Sequence, residues 1–276
     1  MGLSVYNNVE AMNSHRLLSQ TNSLLGKSME RLSSGLRINR AADDAAGLAV
    51  SEEMRTQIRG MRVASRNALD GVSLVQVAVG ALGNVTDMLQ RIRELAIQAA
   101  NGTYTDAQRG NLDTEVQQLM NEIGKTGTDT EFNNIKILAG SVATAASAVT
   151  LQVGANAAQS IAFTIATVST TQLGIVGLAI TTAAAAATAI VSIDAAIATI
   201  TTARANLGAI QNRLEQTISR LGLTSENLQA AESRIRDADM AFEMINFTKN
   251  QILQQSGTAM LAQANQAPQN ILSLLR

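Results

Sequence analysis

The chain has 276 residues, a formal net charge of −1, no cysteine, a single histidine and a single proline, with 46% apolar but only 2% aromatic residues. This excludes disulfides, thiolate chemistry and cysteine-ligated zinc, and the lack of a Lys/Arg-rich run removes the electrostatic footprint of a nucleic-acid binder. Small and aliphatic side chains with almost no proline suit long helices meeting in close seams better than one thick core.

The start of the chain, MGLSVYNNVEAMNSHRLL, lacks the basic start and continuous apolar stretch of a cleaved signal peptide, so export would need another route. Leu25, Met29, Leu32 and Leu36 then keep helical spacing, and Ser33-Ser34-Gly35 reads as a helix-breaking hinge. Asp43 or Asp44 is expected to cap the helix that continues through Leu48, Val50 and Met54, with acidic charge at its positive end. The doublets Asp43-Asp44 and Glu52-Glu53 therefore read as helix capping rather than as a metal or acid–base pair.

The clearest stripe follows. Val75, Ala78, Leu82, Val85, Leu89, Ile92, Ala96 and Ala99 alternate steps of three and four and are all apolar, which predicts a coiled-coil helix ending at Asn101-Gly102. Leu112, Val116, Leu119 and Ile123 begin a second stripe that is expected to stop near Gly124 and Gly127. Two helices across a short loop predict an antiparallel helical hairpin.

From Ile137 to Ile193 there is no Asp, Glu, Lys or Arg. Val149 to Val153 and Ile161 to Ile165 alternate on either side of Gly154–Ser160, which predicts a β-hairpin. Ile175 to Ile193 is long enough to be a membrane candidate, but it is mostly Ala and Thr and lacks flanking aromatics, so no membrane insertion is expected. The Ala/Thr run from Leu178 to Thr188 is assigned neither to helix nor to loop.

In the last third, the register Ile193, Ile197, Ile200, Arg204, Leu207, Gln211, Leu214, Ile218, Leu221, Ser225 and Leu228 is apolar except at Arg204, Gln211 and Ser225. Arg204 and Gln211 read as seam interruptions that set register. Ile235, Ala238, Phe242, Ile245 and Ile252 continue the spacing, and the chain finishes with Ile271, Leu272, Leu274 and Leu275. Isolated helices take most of their stability from packing, so both termini are expected to be mobile in the monomer and to order on assembly. Protease-resistant termini in a dilute monomeric sample would contradict this.

Residues for chemistry are absent by pattern. His15 has no partner, the methionines suit core filling, and neither GxxxxGK[ST] nor GxGxxG occurs. No catalytic, cofactor or metal site is expected, and the chain reads as a structural protein rather than an enzyme. The expected fold is mainly α: long antiparallel coiled-coil helices from both chain ends forming a rod, with a small β-hairpin from the middle. Val75, Leu82, Leu89, Ile92, Ile193, Ile197, Ile200, Leu207, Leu214, Ile218 and Leu221 are the expected helix seam and subunit interface.

Two stretches carry a family resemblance. Met29-Glu30-Arg31-Leu32-Ser33-Ser34-Gly35-Leu36-Arg37-Ile38-Asn39, followed by Ala41-Ala42-Asp43-Asp44-Ala45-Ala46-Gly47-Leu48-Ala49, resembles the N-terminal signature of bacterial flagellin. Ala231-Glu232-Ser233-Arg234-Ile235-Arg236-Asp237-Ala238-Asp239-Met240-Ala241, Met260 to Asn265, Pro268-Gln269-Asn270 and Leu274-Leu275-Arg276 resemble its C-terminal signature. Phe132-Asn133-Asn134 departs from the family's Phe-Asn-Gly.

The resemblance implies an extracellular subunit of the flagellar filament, a homopolymer for swimming motility, secreted through the flagellum's type III export apparatus. It implies an inner domain from 1–42 and 231–276, and a rod domain from 43–190 and 191–230, with no large outer domain. The implied partners are an export chaperone on the C-terminal helix, hook-associated junction and cap proteins, and vertebrate Toll-like receptor 5. For the receptor, Gln90-Arg91-Ile92-Arg93-Glu94-Leu95-Ala96 and Glu115 match the family's binding segment, which points to Arg91, Leu95 and Glu115. The Ser/Thr-rich middle raises surface O-glycosylation, which an intact mass of 29.0 kDa would remove. Rival readings are a hook–filament junction protein, a soluble coiled-coil adaptor forming stable dimers, and a membrane-inserted helical protein. Electron microscopy of seeded or salted-out protein separates them.

Overall fold

The computed structural model describes residues 7–144 and 147–274, with side chains to residue 266. The apolar end at Ile271, Leu272, Leu274 and Leu275 and the motifs at Pro268-Gln269-Asn270 and Leu274-Leu275-Arg276 therefore lie outside the described side chains. The elements run α1 (Val9–Ser34), α2 (Ala45–Ala100), α3 (Asp106–Asp129), β1 (Glu131–Phe132), β2 (Ile135–Lys136), β3 (Val149–Gln152), β4 (Ser160–Phe163), α4 (Ala183–Arg236) and α5 (Met240–Leu274). Contacts divide the chain into two compact units, 1–56 with 227–276, and 57–226. The divisions at 56/57 and 226/227 differ from the domain ends read from sequence, 42/43 and 230/231. The first turns of α2 join the terminal unit because Glu52 pairs with Arg236.

The 57–226 unit is built on an antiparallel pair. Gly71 lies against Leu214, and Arg93 bonds Asp194 at 2.6 Å, so residue numbers rise on α2 as they fall on α4. The α3 helix runs back along α2: Arg91 bonds Glu115, and buried Arg109 donates to the Ala99 carbonyl at 2.8 Å. All eight stripe residues from Val75 to Ala99 are buried. They join Val116, Met120, Ile123, Ile193, Ile200, Leu207 and Leu214 in one core.

The expected break in α3 at Gly124 and Gly127 does not occur, and the helix continues to Asp129. Gly127 is instead a contact point, because a Cβ there would collide with the Val168 carbonyl oxygen. Gly127→Ala is expected to cost about 1–3 kcal/mol by overpacking, outweighing the ~1 kcal/mol that alanine adds to helix propensity. Gly124, which has open space around it, should show only the gain. Urea unfolding of the two variants checks this. At the other end Thr105 and Gln108 form a reciprocal capping box that starts α3.

Among the described residues, the middle contains two hairpins. The expected one pairs Val149–Gln152 with Ser160–Phe163, in the register Val149↔Phe163 and Leu151↔Ile161. A second, shorter one pairs β1 with β2. Its turn residues Asn133 and Asn134 have φ of 49° and 64°, a left-handed conformation that Asn tolerates. That accounts for Asn134 where the family pattern has Gly.

The middle is more than a hairpin. Ile161, Phe163, Ile165, Val168, Leu173, Ile175, Leu178 and Ile180 all enter the core of this unit. The Asp113 carboxylate accepts from the Ile180 amide at 2.8 Å, and Gln117 donates to the Leu178 carbonyl, so α3 ties the segment down. The segment left unassigned resolves into loop through Thr182 and helix from Ala183, with the Thr182 hydroxyl accepting from the Ala185 amide. Only part of the membrane candidate is thus helical. Both α2 and α4 are long and apolar enough to cross a membrane by composition, and their apolar stripes are packed in this core.

The terminal unit pairs α1 with α5. Asn8 donates to the Ala264 carbonyl, Gly257 packs on Leu18, and Arg31 meets Glu243. These numbers run in opposite senses, so the helices are antiparallel and in one register. Among the described residues of this unit, Ile38 is the single apolar side chain that is fully buried.

Candidate functional site

The two stretches that carry the family signature meet each other. Gly35, with φ 70°, ends α1 by donating to the Arg31 carbonyl at 2.8 Å. The chain then forms a one-pair antiparallel bridge, Leu36 to Asp237. The Arg37 amide donates to the Arg236 carbonyl at 2.7 Å, and the Ala238 amide to the Gly35 carbonyl at 2.9 Å. The Arg37 guanidinium forks onto the Ile235 carbonyl, and Arg236 bonds Glu52 at 2.6 Å. Asp44 caps α2 through the Gly47 amide at 2.8 Å, as expected, and Asp239 caps α5 through the Ala241 and Phe242 amides. Asp43 takes a different role, accepting from the Asn39 and Arg40 amides and closing the turn.

Two carboxylates of this clasp, Glu52 and Asp43, are acidified. The Arg236 hydrogen bond holds Glu52 below its ordinary 4.5, and the Arg40 amide holds Asp43 below its ordinary 3.8. Each is lower in the folded state, so its contribution is complete above the ordinary value and is lost as pH falls through the folded value. Protection of the Arg37 and Ala238 amides in hydrogen exchange, corrected for intrinsic rates, should be constant from neutral pH to about 5 and fall below about 4. Glu52→Gln should shrink that acid step.

The α1/α5 pair shows which surface is left for other molecules. On α1 the inward positions are Ala11, Ser14, Leu18, Thr21, Leu25, Ser28 and Leu32. On α5 they are Glu243, Phe247, Asn250, Gln254, Gly257, Leu261 and Ala264, with Asn246 beside Phe247. This internal seam is largely small and polar. The apolar stripe read from sequence points outward: Phe242 is 62%, Ile245 65% and Ile252 60% exposed. Met244, Ile245, Ile252 and Leu253 line a shallow apolar groove with Thr248 and Lys249. On α1, Val9, Met12, Leu17, Leu24 and Met29 are exposed as well, so Met29 is not the seam residue its spacing suggested. Contiguous exposed apolar surface of this kind marks an interaction site.

The residues expected as helix seam and subunit interface lie elsewhere. Val75, Leu82, Leu89, Ile92, Ile193, Ile200, Leu207, Leu214 and Leu221 are buried within the 57–226 unit, with Ile197 and Ile218 partly buried against its core. They form the seam inside one chain, and a buried side chain has no area left for a neighbouring copy. Arg204 is exposed and Gln211 bonds Glu215, so neither interrupts the seam; Ala203 and Ile210 pack beside it.

Of the three residues expected to contact a receptor, Arg91 and Glu115 are exposed and share a fork, with Nε and Nη2 of Arg91 at 3.0 and 2.9 Å from one Glu115 oxygen. Glu115, then Glu94, stabilises the Arg91 cation and raises its pKa. Leu95 is 1% exposed. It packs into the core and offers no receptor contact. His15 is exposed on α1, and no group of three or more His, Cys, Asp or Glu suited to a metal occurs among the described residues.

The model of the bacterial flagellin N-terminal helical region matches residues 5–143, and that of the bacterial flagellin C-terminal helical region matches 190–275. This chain belongs to the bacterial flagellin family. The Treponema phagedenis flagellar filament 33 kDa core protein is 50% identical over 99% of both chains. The flagellin of Bacillus subtilis strain 168 is 49% identical over 99% of this chain and 100% of its own. A solved flagellar hook-associated protein of Vibrio parahaemolyticus shares the fold over 71% of this flagellin and all of its own length, with a TM-score of 0.58 and 12% identity. The flagellin described here is a structural subunit of the extracellular flagellar filament.

Proposed function

We propose that this flagellin polymerises through the outward apolar faces of α1 and α5, with the 57–226 unit as a preformed body. The observation that carries this is the reversed polarity of the terminal pair: polar and small residues between its helices, and Phe242, Ile245 and Ile252 outside. Repeated head-to-tail burial of that face, in a contact that does not close, generates an open helical filament. The terminal pair corresponds to the family's inner domain and the larger unit to its rod domain.

A unit with so little buried apolar surface is poorly stable alone, so the terminal helices order on assembly. Before assembly, α5 needs a cover, and that is the segment an export chaperone holds. Hook-associated junction and cap proteins meet the same face at the two filament ends. The protein has no catalytic role. Seeded or salted-out full chain, viewed by electron microscopy, should form long helical filaments, whereas a chain ending at residue 239 should not. Filaments from the shortened chain, or persistent small dimers of the full chain, overturn the reading.

Recognition by Toll-like receptor 5 rests on Arg91 and Glu115, with Leu95 holding the helix from inside. Arg91→Ala should lose receptor activation while retaining helical circular dichroism. Unchanged signalling by that variant removes the assignment.

A further inference from the structure

The Asn101-Gly102 turn between α2 and α3 lies outside the α1 and α5 faces proposed above for polymerisation. Both residues are exposed. Asn101 Oδ1 accepts the Thr103 amide at 3.3 Å, which folds the carboxamide back over the following backbone. The Asn101 backbone oxygen accepts from the Tyr104 amide at 3.4 Å and from Arg109 Nη2 at 3.0 Å. Arg109 is buried and fixed, donating also to the Ala99 carbonyl and to Asp106, both at 2.8 Å. The Gly102 amide has no acceptor among the described residues.

We propose that Asn101 is a self-modifying site, at which this turn accelerates conversion of the side-chain amide into a carboxylate. The nucleophile is the Gly102 backbone nitrogen. The guanidinium on the Asn101 carbonyl draws electron density from the Asn101–Gly102 peptide bond and makes its N–H more acidic. Solvent base removes that proton, and the nitrogen attacks Asn101 Cγ. The Cγ=O electron pair moves onto Oδ1, where the Thr103 amide already stands as an oxyanion donor. Collapse of the tetrahedral adduct breaks the Cγ–Nδ2 bond, and Nδ2 takes up a proton and leaves as ammonia. The product is a five-membered succinimide. Water adds to either ring carbonyl and opens it to aspartate or isoaspartate, so water is the one co-reactant and nothing is oxidised or reduced. Glycine at 102 leaves the approach to Cγ unobstructed. The outcome is a new negative charge beside Arg109, and in the isoaspartate form an extra methylene in the main chain of the turn.

The test is to age the full chain at mildly alkaline pH, folded and in denaturant, and follow the tryptic peptide 94–109 by mass spectrometry. Asn101 is the single asparagine in that peptide. Conversion at Asn101 should be roughly tenfold faster or more in the folded chain, since one preorganised oxyanion donor alone is worth that in an enzyme site. Equal or slower conversion in the folded chain overturns the proposal. Arg109→Lys keeps a cation but loses the planar fork, and should slow the folded-state reaction several-fold with the helical signal retained. An unchanged folded rate in that variant overturns the part given to Arg109. The folded-against-denatured comparison uses the unaltered chain and stands even if the variant loses its fold.

Discussion

Leu89→Ala is expected to lower the stability of the 57–226 unit by about 3–5 kcal/mol, the range for truncating a fully buried leucine whose site cannot collapse. Leu89 has 0% exposure and belongs to a single core to which α2, α3 and α4 all contribute. Close packing from three helices limits how far any wall can move into the space left behind. Ile97 on the same helix is 49% exposed, and Ile97→Ala should change stability by no more than about 0.5–1 kcal/mol. Chemical denaturation of monomeric protein, followed by circular dichroism, separates the two. A loss below about 1 kcal/mol for Leu89→Ala would mean that the seam is not the intramolecular core.

Glutamate at both Ile245 and Ile252 should have the opposite profile: an unaltered melt of the 57–226 unit and no filament growth on seeds. Each isoleucine is exposed by 60% or more in the single chain, so little folding energy is at stake. In a filament, covering each would contribute about 1.5–3 kcal/mol, and the variant also buries charge without a partner. Loss of at least ~3 kcal/mol per contact raises the critical concentration by more than about 100-fold. Leucine at both positions keeps apolar area and should retain growth. Sedimentation of seeded mixtures reads both, and normal growth of the glutamate variant would place the interface elsewhere.

These two variants separate positions that look alike in the sequence. Leu89 and Ile252 are both apolar members of three/four-spaced stripes on long helices. One is sealed inside the chain and the other is open. Spacing shows which residues share a face because helical geometry places i, i+3, i+4 and i+7 together. For α2 that was sufficient, since its stripe was unbroken and no other face of the helix was comparably apolar. On α5 two faces compete: the apolar Phe242–Ile245–Ile252 stripe, and the mixed Phe247–Gln254–Leu261 face that actually meets α1.

The charge-free middle was legible in part. Alternation in Val149–Val153 and Ile161–Ile165 encoded the hairpin, because strand side chains alternate with period two. The core residues from Ile165 to Ile180 carry no regular period, since the chain turns repeatedly and hydrogen-bonds back to Leu138, Val142, Asp113 and Gln117. Leu95 shows the reverse error. Its place in a receptor-binding pattern suggested a surface contact, yet it belongs to the core.

By itself, the sequence determined that this would be a helical flagellin: local spacing, caps and the two signature motifs are short-range properties. Only the tertiary structure decided which stripe is sealed within a chain and which is left for another. That choice depends on the register in which distant segments meet. Arg31 opposite Glu243 and Gly35 opposite Ala238 set that register across some 200 residues, and it turns the apolar face of α5 outward.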